Sequence, residues 1–535
     1  MRVLASALLL SWSCAPSLPS IPEAAAEALA SIQPAELRAH MSFLADDLLE
    51  GREAGTRGYD IAARYVAAEL EAMGLEAAGD DGSFFQMVPL RRATLDEHES
   101  SLTIVYDGQP RPLRFGEDFV LDAPFRERQS RVRAPLVFVG YGVSAPELDW
   151  DDYAELDVEN KVVLLLSGAP SQFHSTERAY YSSRETKAKE AVARGATGIL
   201  TVMTPTDAAR FPWSRLREAA RAPSMRWLDP ATGEPWGASV PRGTLSRETA
   251  ENLLSASLSV LESAEPGGRE LPQTVILRAV GQHEDLESPN VSARLGGTDL
   301  ADEIVVYSAH LDHVGLGKEV DGDDLYNGAY DNASGVAVLL AVARAFTRME
   351  PPPRRSLLFL AVTAEEKGLL GSDYFAHHPT VPRDAIVANV NADGALMLHP
   401  LRDVVPFGVE HSTLLEPVSR AAEWLDIGLS PDFMPEQVIF IRSDQYSFVK
   451  QGIPAVYPFV GNDTGEERVD GRALLDDWMA TRYHKPSDDM RQEMDFEAGA
   501  DYAKLAYLIG YNIANAEQRP EWNEGDFLAE KFSRP

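Results

Sequence analysis

Ile304-Val305-Val306-Tyr307-Ser308-Ala309-His310-Leu311-Asp312-His313 begins as a short apolar run rich in β-branched residues and ends in polar ones. Such a run reads as a buried strand, with His310 at its exit. A polar, glycine-punctuated loop follows from Val314 to Tyr330, then Asp331-Asn332-Ala333-Ser334-Gly335, then an unbroken helical run from Val336 to Phe346. Strand, loop and helix in this order predict an open α/β sheet, in which ligands bind beyond the carboxyl ends of the strands.

Two further strand exits repeat the pattern. Leu357 to Val362 runs into Thr363-Ala364-Glu365-Glu366, and Ile386 to Val390 runs into Asn391-Ala392-Asp393. A fifth group, His484, lies far downstream in Tyr483-His484-Lys485-Pro486. Two histidines and three carboxylates without a cysteine make a nitrogen and oxygen donor set suited to zinc and other divalent first-row metals. An isolated histidine is more often a satisfied core residue, and an isolated Glu-Glu a solvated pair. Here each bland reading would have to hold separately at five exits.

These residues, His310-Leu311-Asp312, Asp331 to Gly335, Glu365-Glu366, Asn391-Ala392-Asp393 and Tyr483-His484, resemble the signatures of the M28 family of co-catalytic zinc peptidases, in the family's order. The resemblance implies a central mixed β-sheet flanked by helices and two Zn²⁺ per chain. One zinc takes His310 and Asp393, the other Glu366 and His484, and Asp331 bridges them. It implies that Glu365 is the general base, that Asp312 accepts the second N–H of His310, that Tyr483 donates to the oxyanion, and that the Asp331–Asn332 peptide is cis. Gln445 stands where the family often has His. Ser334 and Gly335 read as helix-start residues.

The chain has 535 residues and a net charge of −34. That length suits two or three domains. The charge argues against nucleic acid and against a polybasic membrane anchor. No apolar run is long enough to span a bilayer. Residues 1–20 read as an export signal and tether: Arg2, an apolar stretch to Leu10, and then Cys14, the only cysteine. A lone cysteine after such a stretch resembles a lipoprotein signal, although Ser11 and Trp12 fit it poorly. The alternative is plain cleavage near Ala15 or Ser20. The expected location is the bacterial cell envelope or the exterior.

The peptidase domain is expected at 34–118 and 268–520, with helices over Leu37–Leu49 and Tyr59–Met73 and a strand over Phe84–Val88. Arg52, in the loop between the helices, reads as a substrate contact or a surface ion pair. Residues 119–267 form a β-rich insert similar to protease-associated (PA) domains, with strands at 136–139, 162–166 and 199–203 and a helix at 185–194. Its part from Arg210 to Trp236 reads as irregular loop that could border the cleft. Residues 521–535 are expected as a loosely packed tail.

The function these readings imply is an exported two-zinc exopeptidase acting on peptides, an aminopeptidase first of all. Asp321, Asp323 and Asp324 between the ligand motifs favour a bound α-amine. Alternatives are a zinc carboxypeptidase or other amidohydrolase on the same fold and, more remotely, a non-catalytic receptor-like binding protein, which would be expected to have lost ligands.

Overall fold

The computed structural model describes residues 20–237, 240–395 and 397–533; Cys14 and the rest of the expected export signal before residue 20 lie outside them. At the centre, four strands run parallel and side by side: Arg355–Val362, Leu300–His310, Ile386–Asn391 and Ala455–Val460. Every residue of Arg355–Val362 is buried, as an interior parallel strand covered on both faces requires. Antiparallel strands complete the sheet: Asp403–Phe407 beside Ala455–Val460, and the end of Arg269–Leu295 beside Arg355–Val362. The strand Phe85–Leu95 pairs in turn with Arg269–Leu295.

The helix Gly335–Thr347 is apolar almost all round and lies buried against the sheet and the helix Phe496–Asn515. The expected second helix occurs as Arg57–Ala72. The first ends at Leu44, earlier than its apolar spacing suggests, and a tight turn, Asp47–Arg52, takes over with Glu50, Gly51 and Arg52 at positive φ.

A second sheet has its own core around Phe119, Leu136, Leu164 and Leu277. It contains Gln129–Phe138, Val162–Leu166, Gly198–Val202, Arg242–Leu245 and Phe119–Leu121. It also takes in Ser101–Tyr106 and Gln109–Pro112. The strand Arg269–Leu295, 27 residues long, serves both sheets: Thr274–Arg278 pairs with Ser101–Tyr106, and Gly281–Val291 with Phe85–Leu95. Hydrogen bonding therefore runs across residues 118 and 268 rather than stopping there.

Two expectations need correction. Residues 210–236 are not a mere loop: they hold the helix Trp213–Ala219 and the strand Ser224–Trp227, which pairs with Phe85–Leu95 in the first sheet. Trp227 is consequently buried, its indole N–H donating to Asp373 at 2.9 Å. The tail is not loose either. Leu528 is fully buried in the short helix Phe527–Phe532, and the Trp522 indole donates to the Gly452 carbonyl at 2.9 Å. One apolar anchor and one indole partner are enough to seat so short a segment.

Candidate metal centre and active site

The three strand exits stand side by side because their strands do. The order across the sheet is Arg355–Val362, Leu300–His310, Ile386–Asn391, which places Glu365 and Glu366, then His310, then Asp393 along one edge. Asp331 comes to this edge from the loop before the helix Gly335–Thr347, and His484 from the segment after the helix Gly471–Thr481.

Asp331 is the hub. Its Oδ1 lies 3.2 Å from His310 Nε2, which is also 3.2 Å from Asp393 Oδ1. Its Oδ2 lies 3.0 Å from His484 Nε2, which is also 3.0 Å from Glu366 Oε2. The five expected ligands thus converge as two clusters that share one carboxylate. The donor set fits divalent metals: His310, Asp331 and Asp393 offer ligand atoms within 4.8 Å of one another, and so do His313, Asp331 and Glu366. His313 went unremarked in the sequence. It is fully buried, with Nδ1 2.7 Å from Glu366 Oε1 but 4.0 Å from Asp331 Oδ2. His484 presents one nitrogen to both carboxylates, whereas His313 reaches only Glu366 at bonding distance.

The charges respond to one another. Burial pulls the His310 imidazolium down, but Glu365 and Asp393 more than offset this and hold its pKa well above the usual histidine value. Burial, with the neighbouring charges of Glu366, Asp393 and Asp444, drives the Glu365 carboxyl well above the usual carboxylate range, against the pull of His310. Glu366 moves the other way despite its burial, because His484 and His313 face it. The adjacent glutamates thus have opposite protonation tendencies. Ala364, just before them, has φ 55°, a left-handed backbone that an alanine adopts only where its surroundings hold it.

Asp312 works differently from expectation. The Nδ1 of His310 meets the backbone carbonyl of Asp312 at 3.1 Å. The Asp312 carboxylate instead accepts the backbone N–H groups of Glu365 at 3.0 Å and Glu366 at 3.3 Å. It ties the Glu-Glu turn to the His310 exit, and burial pushes its pKa up to about 6.

Several groups support the ligands from behind. Asp488 accepts the backbone N–H groups of Tyr330 at 3.0 Å and Asp331 at 3.1 Å. Asn332, joined to Asp331 by a cis peptide, accepts from the Gly335 and Gly394 N–H groups, each at 2.9 Å, and so links the Asp331 loop to the Asp393 loop. Gly335 must be small there, since a Cβ would sit 2.2 Å from Asn332 Oδ1. Arg52 is neither a substrate contact nor a surface pair. It is buried, and its guanidinium donates to the carbonyls of Leu44, Leu311, Asn327 and Gly328. Burial lowers its pKa to about 10.

His310, Asp331, Glu365 and Asp393 open onto a cavity of about 120 Å³ whose other walls include Met434, Ile439, Phe459, Leu475, Trp478 and Met479. Tyr483 also lines it, its ring stacked on His484 with centroids 3.9 Å apart. The Tyr483 hydroxyl oxygen accepts from Arg442 Nη2 at 3.0 Å, which leaves its own proton to be donated elsewhere. The acidic residues Asp321, Asp323 and Asp324 are not among the lining groups; they sit on or beside the two-stranded hairpin Gly315–Val320 and Asp323–Tyr326. The argument for a bound amine drawn from them therefore falls.

Residues 290–507 match the model of "Peptidase family M28". A probable zinc metalloprotease of Pyrenophora teres f. teres is 24% identical over 304 residues, which cover 52% of this chain and 62% of that protein. A probable leucine aminopeptidase 2 of Aspergillus fumigatus is 28% identical over 235 residues, 41% of this chain and 43% of that one. The chain thus spans less than two thirds of either relative. The aminopeptidase from Aneurinibacillus sp. strain AM-1 shares the fold, with TM-score 0.53 and 18% identity over 94% of this chain and 97% of that one. All five ligand candidates fall inside residues 290–507, the segment that matches the peptidase family M28 model.

Proposed function

We propose that the protein is an exported two-zinc exopeptidase that removes N-terminal amino acids from peptides. His310 and Asp393 would hold one zinc and Glu366 and His484 the other, with Asp331 offering an oxygen to each group. The observation that carries this reading is the placement of Asp331 between the two clusters, beside the cavity that His310, Glu365 and Asp393 also line. Zinc, when bound, supplies Lewis acidity toward water and the scissile carbonyl.

The remaining work falls to side chains of this chain. Glu365, whose proton affinity is raised, takes a proton from the attacking water and returns it to the leaving nitrogen. Tyr483 donates to the carbonyl oxygen as that atom gains charge, since Arg442 already occupies a lone pair of its hydroxyl. The apolar wall of Met434, Ile439, Phe459 and Met479 takes an apolar first side chain. Residues 119–267 remain in this reading a PA-like insert, and residues 1–20 an export signal that leaves Cys14 for lipid attachment.

A second reading, a carboxypeptidase, is favoured by one observation: Arg442 lines the cavity, and a guanidinium is the group that would hold a terminal carboxylate. Unblocked aminoacyl-nitroanilides, their N-acetyl forms and N-blocked peptides with a free carboxyl end separate the two. Turnover of the first class with little of the other two, and two zinc per chain by metal analysis, is the expected result. Preference for the third class would transfer the assignment to the carboxypeptidase.

A further inference from the structure

Much of the cavity wall opposite the ligands comes from one segment, residues 430–444, which contributes Met434, Gln437, Ile439, Arg442 and Ser443. The segment has little structure of its own. It consists of two short 3-10 turns, Pro435–Gln437 and Ile439–Ile441, joined by Val438 at φ 48°. A β-branched residue stays in the left-handed region only where its surroundings enforce it.

Some of those surroundings belong to the peptidase domain: Arg472 donates to the Phe433 carbonyl at 3.0 Å and pairs with Glu436 at 3.4 Å. Others come from the insert. Arg210, the last residue of the helix Pro205–Arg210, donates to the carbonyl of Glu436. Ser175, the first residue of the helix Ser175–Ser182, donates to Asp432 Oδ2 at 2.5 Å, while Asp432 Oδ1 accepts from the Met434 N–H at 2.8 Å. The same helix packs against both turns. Backbone and side-chain groups on either side of Met434 are therefore pinned by residues more than 200 positions earlier in the chain.

We propose that the insert is a structural part of the substrate pocket: Arg210 and Ser175 are positioning residues that fix residues 430–444 and thereby set which N-terminal side chain the pocket accepts. This rests on reading the cavity as the site of that side chain. Met434 and Ile439 line the cavity, so a shift of either changes the fit of a leucine side chain, which reaches further into it, more than that of an alanine.

The test uses the full-length, metal-loaded protein with Arg210→Ala/Ser175→Ala together, and Arg210→Lys alone. Amide hydrogen exchange is followed over 430–444 and over 300–310, and KM and kcat are measured for alanyl- and leucyl-nitroanilide. Losing hydrogen bonds that involve a charged donor corresponds to roughly a tenfold effect. The double variant should therefore speed exchange in 430–444 by about tenfold with 300–310 unchanged, and lower the leucine-over-alanine preference by a similar factor, mainly through KM. Arg210→Lys, which keeps a donor, should recover part of both. Unchanged exchange in 430–444 overturns the proposal, and so does an unchanged preference ratio. If the unmodified protein hydrolyses neither substrate, the aminopeptidase reading fails, and the exchange comparison still judges the clamp.

Discussion

Glu365 and Glu366 are neighbours in the chain and opposites in environment. Glu366 faces two imidazoles and stays ionised; Glu365 faces carboxylates and the cavity. Glu365→Gln should keep its metal and lose turnover by about 10²–10⁴-fold, the usual worth of a general acid–base. Glu366→Gln should instead lose metal on dialysis. Metal analysis beside single-turnover rates distinguishes them, and exchanged phenotypes would reverse the assignment. Residues of this kind were legible because their chemistry sits at predictable strand exits. Arg52, Asp488 and His313 were not: their partners are backbone atoms or side chains that only folding brings near, as when Arg52 reaches Gly328 at 3.0 Å. Asp312 was found for the right neighbourhood and the wrong atom, since strand spacing places a residue without saying which of its oxygens does the bonding.

Among elements, the central parallel strands were readable from apolar runs that had no competing interpretation. The tail carries no such signal, because a six-residue helix is too short to show periodicity and its seat is made by partners elsewhere. One such partner is His411, whose Nδ1 meets Asp526 Oδ2 of the tail at 2.7 Å while Nε2 meets Thr176 Oγ1, on the helix Ser175–Ser182, at 3.0 Å. Burial disfavours the imidazolium, but Glu410 and Asp526 outweigh it and raise its pKa. A histidine whose folded pKa lies above the unfolded value of ~6.5 stabilises fully below that value and less as pH rises through the folded pKa. The link that His411 makes between Thr176 and Asp526 should therefore be stronger at pH 6 than at pH 9. His411→Gln should lower the melting temperature more at the acid end of that range, and the difference between variant and parent should shrink toward pH 9. A pH-independent difference would mean that His411 acts only by packing.

At the scale of the whole molecule, the two largest hydrophobic cores share one continuous strand, and the regions around them are linked through Arg210 and His411. Separate domains joined by linkers unfold separately; cores joined by common hydrogen bonds are expected to unfold together. Calorimetry of the metal-loaded protein should show a single transition, and two resolved transitions would show that the shared strand transmits little. Among the described residues no helix is long and apolar enough to cross a membrane.

The strand Arg269–Leu295 also restricts how this gene product can change length. Its two ends are each locked into a different sheet, at Thr274–Arg278 and at Val291–Leu295. Deleting one codon between them would turn over the inward and outward faces of whichever end gave way, because side chains alternate strictly along a strand. A pair of deletions leaves the alternation intact. Changes of length in this stretch are thus expected in even steps, or with a bulge that absorbs the odd residue.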